Sequence, residues 1–229
     1  MQQAPRDALL VLVGVTAGRA ERRHLRDVLE SRHTFTVYLP ALPFRLGLRA
    51  CSRFLIRYLR TRILARGHQA VHVLAYIGGA YAMRLAAPSL GEFPLGRIVF
   101  VRSPLQELVP RYAVKRWSAA LVWLTQGKAT VDMAREDIMR LPLPAVGTER
   151  GLIVEMLPSA MARMLGLTPE AVPNTAWEHS TLLPGATDAT QLEVSHDEAY
   201  SDPELIDQAH AFLTTGRFRR EGGPDAGAR

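Results

Sequence analysis

In this 229-residue chain the stretch whose spacing comes closest to chemistry is Val71-His72-Val73-Leu74-Ala75-Tyr76-Ile77-Gly78-Gly79-Ala80. An apolar run ends in a Gly-Gly turn and passes at once into small residues. The layout is that of G-x-S-x-G, a strand-to-helix corner that lifts a nucleophile above the end of a sheet and needs small neighbours two positions to either side. Ala75 and Gly79 stand at those positions, and the following helix would aim its first N–H groups and positive dipole end at the corner. At the centre, however, stands Ile77. Isoleucine has no lone pair to attack a carbonyl and no proton for a base to take. Its branched Cβ also disfavours the positive-φ backbone that such a corner imposes, which predicts a relaxed turn. The same residues equally suit a plain strand–Gly-Gly–helix connection of any doubly wound fold.

Two other clusters carry functional side chains. Arg49, Arg53, Arg57 and Arg60 recur at i, i+4, i+8 and i+11 with no acidic residue between them, and Arg62 and Arg66 follow. Such a helix face is either simply solvated or a surface for an acidic partner, a phosphate or a membrane. Trp117, Leu121, Val122, Trp123 and Leu124 form an aromatic and apolar group that reads as core packing, or as a lid or partner surface. Cys51 is the only cysteine, which rules out an internal disulfide and a cysteine-based zinc cluster. It reads as a small buried side chain on a helix. No metal site and no cofactor are expected.

The elements around these residues follow from periodicity. Ala8–Val15 is a continuous apolar run, as in a strand buried on both faces of a parallel sheet. Arg19–Ser31 has an amphipathic helical pattern. Thr34–Leu39 reads as a second strand, Leu48–Arg66 as a long helix capped by Gly67, Ala70–Ala75 as a third strand and Ala80–Ala87 as a helix. Arg97–Val101, Leu152–Met156 and Thr190–Val194 supply three further strands, and Pro203–Leu213 a last helix. Alternating strands and helices predict an α/β fold, a mostly parallel central sheet with helices on both faces. Residues 1–218 then form one domain with a small helical insertion at 104–148, and 219–229 form a disordered tail rich in glycine and charge.

Once the segments are taken in order, the chain resembles the α/β-hydrolase superfamily, esterases and lipases in particular. Leu12 to Gly18 is similar to the first long strand and its oxyanion loop. Gly14 and Val15 stand where a His-Gly pair usually falls, so Val15 and Thr16, with Gly78 and Gly79 at the corner, are the positions that the resemblance assigns to oxyanion and elbow. Thr34–Pro43 resembles the next strand and its proline-bearing loop. Leu183–Val194, Ser195-His196 and Asp202-Pro203 resemble the last strand, histidine loop and closing helix. The resemblance therefore places the catalytic histidine at His196. The acid is expected after Leu152–Met156, in the loop to Leu183. No aspartate lies in Thr168–Thr175, so Asn174 stands at the acid's position or Glu170 replaces it. Asparagine orients a histidine but does not stabilise an imidazolium as a carboxylate does.

These readings together imply a catalytically degenerate, non-catalytic member of the superfamily, in which His196 is vestigial and Ile77 inert. Its partners would be another protein or a small apolar ligand, with an anionic surface at the Arg49–Arg60 face. The alternative is an ester hydrolase or lipase working through His196, with Ser103 or Ser195 as substitute nucleophile. The net charge of +6 permits nucleic acid, but no motif for it is present. No apolar run reaches the length of a membrane span, Met1–Asp7 lacks a basic leader and the run Ala8–Val13 is short for a signal-peptide core, which points to a cytoplasmic protein. The oligomeric state is not readable.

Overall fold

The structure, a computed structural model, describes residues 6–144 and 148–220. Six strands form one sheet in the order β2-β1-β3-β4-β5-β6, every neighbouring pair parallel. They are β1 (Ala8–Leu12), β2 (Thr36–Tyr38), β3 (Val71–Ala75), β4 (Leu95–Arg102), β5 (Arg150–Leu157) and β6 (Asp188–Ser195). Parallel strands need crossovers, and helices supply them: α1 (Arg19–Ser31), α2 (Leu48–Tyr58), α3 (Ile77–Ala86), α4 (Pro104–Trp117), α5 (Ala119–Gln126), α6 (Lys128–Arg135), α7 (Ala160–Met164), α8 (Asn174–Thr181) and α9 (Pro203–Thr215). The doubly wound sheet expected from the apolar runs is present.

The period of two along each strand separates two cores. Ala8, Leu10 and Leu12 of β1, with Val73, Phe100 and Leu152, face the layer that holds Leu55 of α2, Ala80 of α3 and Met133 of α6. Leu9, Val11 and Val13, with Leu74, Val99 and Ile153, face Leu25 of α1 and Phe212 of α9. Both faces are covered, so the central strands read as unbroken hydrocarbon.

Three elements differ from expectation. The helix beginning at Leu48 is α-helical only to Tyr58; a π turn over Leu59–Ile63 and a three-ten turn over Leu64–Arg66 complete it before Gly67, whose φ of 70° is the left-handed cap. Helix α3 starts at Ile77 rather than Ala80, because Gly78 and Gly79 join its first turn. The segment between β5 and Leu183, read as a loop, contains α7 and α8. Between Pro104 and Arg135 the chain forms α4, α5 and α6. Most of the expected tail, from 221 on, lies outside the described residues.

Candidate functional site

The strand order reverses direction between β1 and β3, both of which lead into loops at the same sheet edge. The crevice at such a switch point is the usual place for a ligand in an open α/β sheet. Gly14 and Val15 follow β1 there, and Tyr76 and Ile77 follow β3. The two backbones touch: a Cβ on Gly78 would lie 3.3 Å from both Gly14 Cα and Val15 N. Gly79 admits the approach of helix to strand, since a Cβ there would meet the Leu12 carbonyl oxygen at 2.2 Å.

The corner itself is relaxed. Tyr76 is extended (φ −78°, ψ 164°) and caps α3, and Ile77 is its first residue. Among the described residues other than glycine, positive φ occurs only at His33 and Ser118, so position 77 has ordinary right-handed backbone. Its side chain is 5% exposed and packs in the core layer shared by α2 and α3.

His196 stands one residue past β6, 4% exposed. Its Nδ1 lies 3.0 and 3.2 Å from the two carboxylate oxygens of Glu155, which is fully buried on β5. Burial pushes the imidazole toward its neutral form, but the Glu155 carboxylate outweighs it, with Asp197 adding to it, and the His196 pKa is raised above its ordinary value. The partner of His196 is therefore neither of the two residues expected from the sequence. Asn174 is exposed at the start of α8, and Glu170 is exposed in the preceding loop, its carboxyl pKa lowered by hydrogen bonds to its own backbone and Thr168. The carboxylate comes from inside the strand instead of from the loop after it. A signal for it existed: Glu155 is the one charged residue within Leu152–Met156, and a lone carboxylate in a doubly covered strand must have a partner.

The other ring nitrogen meets Tyr200, which the sequence reading missed. Its phenolic oxygen lies 3.4 Å from His196 Nε2 and accepts the Gly14 N–H at 3.1 Å. Tyr200 is 2% exposed, and burial, with the Glu155 charge adding to it, raises its pKa. Its ring packs on Tyr76 with centroids 4.7 Å apart, and the Tyr76 hydroxyl in turn donates to the Ala199 carbonyl at 3.2 Å. A Cβ on Gly14 would stand 2.6 Å from the Tyr200 oxygen, so any side chain there would displace the phenol. Carboxylate, imidazole, phenol and backbone N–H thus form one chain of hydrogen bonds. It has the order of a hydrolytic triad, with a buried tyrosine hydroxyl where a substrate-facing nucleophile would stand.

Of the remaining positions, Val15 is half-buried and Thr16 exposed, and both line a cleft of about 520 Å³ with Gly14, Leu42, Phe44 and Arg45. His196 and Tyr200 are not among its walls. Ser103 is buried and caps α4, accepting the Gln106 N–H at 3.2 Å, and the Ser195 hydroxyl donates to Glu198 at 2.6 Å; the His196 ring nitrogens meet Glu155 and Tyr200 instead. Arg49, Arg53 and Arg57 are exposed along α2, whereas Arg60, in the π turn, binds Glu92 with Nε 3.0 Å from the carboxylate.

A second cleft, about 340 Å³, opens at the end of β4 and was not foreseen. Buried Arg102 stands in its wall, held by Glu107 through two hydrogen bonds of 2.7 Å and by the Leu182 carbonyl at 3.1 Å. Among the described residues no group of three or more His, Cys, Asp or Glu side chains could hold a metal ion. No helix among them is long and apolar enough to cross a membrane.

Solved structures share this architecture. An α/β-hydrolase enzyme from the metagenome of lagoon sediments at Mar Chica, Morocco, is 19% identical over 93% of this chain and 92% of its own, with a TM-score of 0.57. The mature form of a Bacillus licheniformis lipase is 14% identical over 93% of this chain and 94% of its own, with a TM-score of 0.66. A type II thioesterase from the borrelidin biosynthetic cluster is 17% identical over 96% and 94%, with a TM-score of 0.54. No protein-family model matches the sequence, and no curated protein matches it. The chain has the α/β-hydrolase fold. At these identities the likeness is one of architecture, and the site speaks only through its own residues.

Proposed function

We propose that the chain is a non-catalytic α/β-hydrolase-fold protein of the cytoplasm that works by binding. The observation that carries this reading is the hydroxyl His196 meets: it belongs to Tyr200, buried and tied to the Gly14 N–H, while position 77 is hydrocarbon in helical backbone. A base whose acceptor nitrogen is engaged by an internal phenol has no nucleophile to activate. Binding falls to the cleft beside Gly14, whose size suits a small ligand and whose walls include Val15, Leu42, Pro43 and Phe44. We assign it a small apolar ligand, or a side chain of a protein partner.

The test is fluorophosphonate labelling and turnover of short-chain p-nitrophenyl esters. No labelling is expected, and any slow turnover should survive His196→Ala. Robust turnover that vanishes in that variant ends the proposal.

One observation favours a second reading. The Glu155–His196 pair is intact and points its second nitrogen at a hydroxyl. A hydrolase using Tyr200 would need that buried oxygen exposed during the reaction. It would be recognised by a fluorophosphonate adduct mapped to Tyr200 by mass spectrometry.

A further inference from the structure

Leu121, Trp123 and Leu124 of α5 and the arginine face of α2 take no part in the site above. Val122 is buried, as a core reading of this cluster requires, but Leu121, Trp123 and Leu124 are 45%, 58% and 73% exposed. Leu46, on a three-ten turn over Phe44–Leu46, is 70% exposed. The turn and the end of α5 are neighbours. A Cβ on Gly127, which follows α5, would stand 3.0 Å from Arg45 Cα, and Arg45, Thr125 and Gln126 share one cleft. Several large apolar side chains left together on a surface mark an interaction site.

Cations lie on the elements that adjoin this patch in the chain. The turn runs directly into α2, and Arg45, Arg49, Arg53 and Arg57 are all exposed. On the other flank α4 ends in exposed Lys115 and Arg116 just before α5. The chain has no aspartate or glutamate from Ser31 to Gly91, and none from Leu108 to Val131. Asp132 shares a cleft with Trp123 but is already engaged, as is Glu92. Asp132 on α6 holds Lys128 at 2.7 Å and the Leu48 N–H at 2.9 Å, Glu92 holds Arg60, and Glu136 lines the cleft at the end of β4.

We propose that this surface docks onto an anionic lipid bilayer. Leu46, Leu121, Trp123 and Leu124 enter the headgroup region, and the arginines of α2, with Lys115 and Arg116, lie against acidic headgroups. Leu121, Trp123 and Leu124 are spread over the exposed arc of α5, and the cations lie on α4 and on α2, into which the Leu46 turn runs; exposed tryptophan and leucine with cations beside them suit a bilayer interface. Leu46 and Leu124 are 70% and 73% exposed, as side chains that insert between headgroups must be. Arg45, Thr125 and Gln126 also wall the cleft beside Gly14, so a docked molecule holds that cleft at the rim of the membrane contact. The docking is independent of whether the chain hydrolyses esters, and its test separates the two.

The full chain is sedimented with phosphatidylcholine vesicles, with and without phosphatidylserine. Binding should require phosphatidylserine and fall as salt is raised. Replacing Arg49, Arg53 and Arg57 with serine should weaken it about a hundred-fold, at the contribution usual for three cations at an anionic surface. Trp123→Ser with Leu124→Ser should remove the fraction that survives high salt. All five positions are exposed, and far-ultraviolet circular dichroism confirms that the variants fold. Equal binding to phosphatidylcholine alone, no binding to either vesicle, or binding unchanged in both variants overturns the proposal. So does tighter binding to polyglutamate than to the vesicles, which would make the face a site for acidic protein.

Discussion

Tyr200 closes the far side of the His196 ring: its phenolic oxygen stands 3.4 Å from Nε2, while Glu155 holds Nδ1 at 3.0 Å. The two residues are four apart in one loop, so the histidine finds its hydroxyl within its own segment and not across the crevice on the helix that Ile77 begins. The hydrogen-bond chain ends on the Gly14 N–H, a backbone donor of the very loop that the resemblance assigned to oxyanion binding. The site is complete without a substrate.

Tyr200→Phe tests that closure. The variant keeps the ring against Tyr76 and deletes only the oxygen. Gly14 N–H and His196 Nε2 are then left buried without this partner, which should destabilise the fold by about 1–3 kcal/mol. Urea unfolding of the variant against the parent measures it. A loss below about 0.5 kcal/mol would mean that water replaces the phenol and the site is open to solvent.

Glu155→Gln tests the other side of the ring. With the carboxylate present, His196 titrates above its ordinary value of about 6.5. Without the carboxylate, burial dominates and the midpoint should fall below that value. The linkage has a definite sign. A group whose pKa is higher in the folded state contributes stability that is fully present below the unfolded pKa, near 6.5, and is lost as pH rises through the folded pKa. His72 and His210 are shifted the other way, by burial first, and contribute stability that is lost as pH falls. Overall stability therefore mixes signs, and the clean readout is the His196 imidazole resonance in NMR. An unchanged midpoint in the variant would dissociate Glu155 from the histidine.

The sheet was legible because each central strand is buried on both faces and so is written as an apolar run. The corner at Ile77 was legible because Gly78 and Gly79 are demanded by contact with β1. The triad acid was not. Glu155 lies inside a run whose other members are hydrocarbon, where a single carboxylate is easily absorbed into the strand, and the family pattern points to the loop beyond it. Tyr200 was missed because a tyrosine near the start of a helix has no distinctive spacing; only the fold brings its oxygen to Gly14. The exposure of Trp123 and Leu124 was equally hidden, since α5 is apolar on most sides and periodicity alone does not say which side is covered.

Gly79→Ala tests the close approach of α3 to β1. The added Cβ meets backbone, the Leu12 carbonyl oxygen at 2.2 Å, and not the tip of a flexible side chain. The helix must move, at a cost near or above the upper end of the overpacking range, about 3 kcal/mol. Gly91→Ala is the matched control, with nothing within 4 Å of its Cβ, and should stabilise by about 0.4–1 kcal/mol through the unfolded chain. Thermal unfolding of the pair decides it. Equal effects would remove the steric argument for the Gly-Gly turn.

Ile77→Ser asks whether a hydroxyl at the corner is enough for chemistry. It should not be. The new oxygen would sit on ordinary helical backbone, without the strained turn that presents a nucleophile, and His196 Nε2 is already engaged by Tyr200. Removing buried hydrocarbon and adding a hydroxyl should also destabilise the fold by about 2–5 kcal/mol. The expected result is a weakened protein that fluorophosphonate still does not label. Combining the change with Tyr200→Phe frees the imidazole nitrogen, so any labelling confined to the double variant assigns the block to the phenol. Labelling of the introduced hydroxyl in the single variant would show that the tyrosine yields its place readily, and that the missing serine alone separates this chain from a hydrolase.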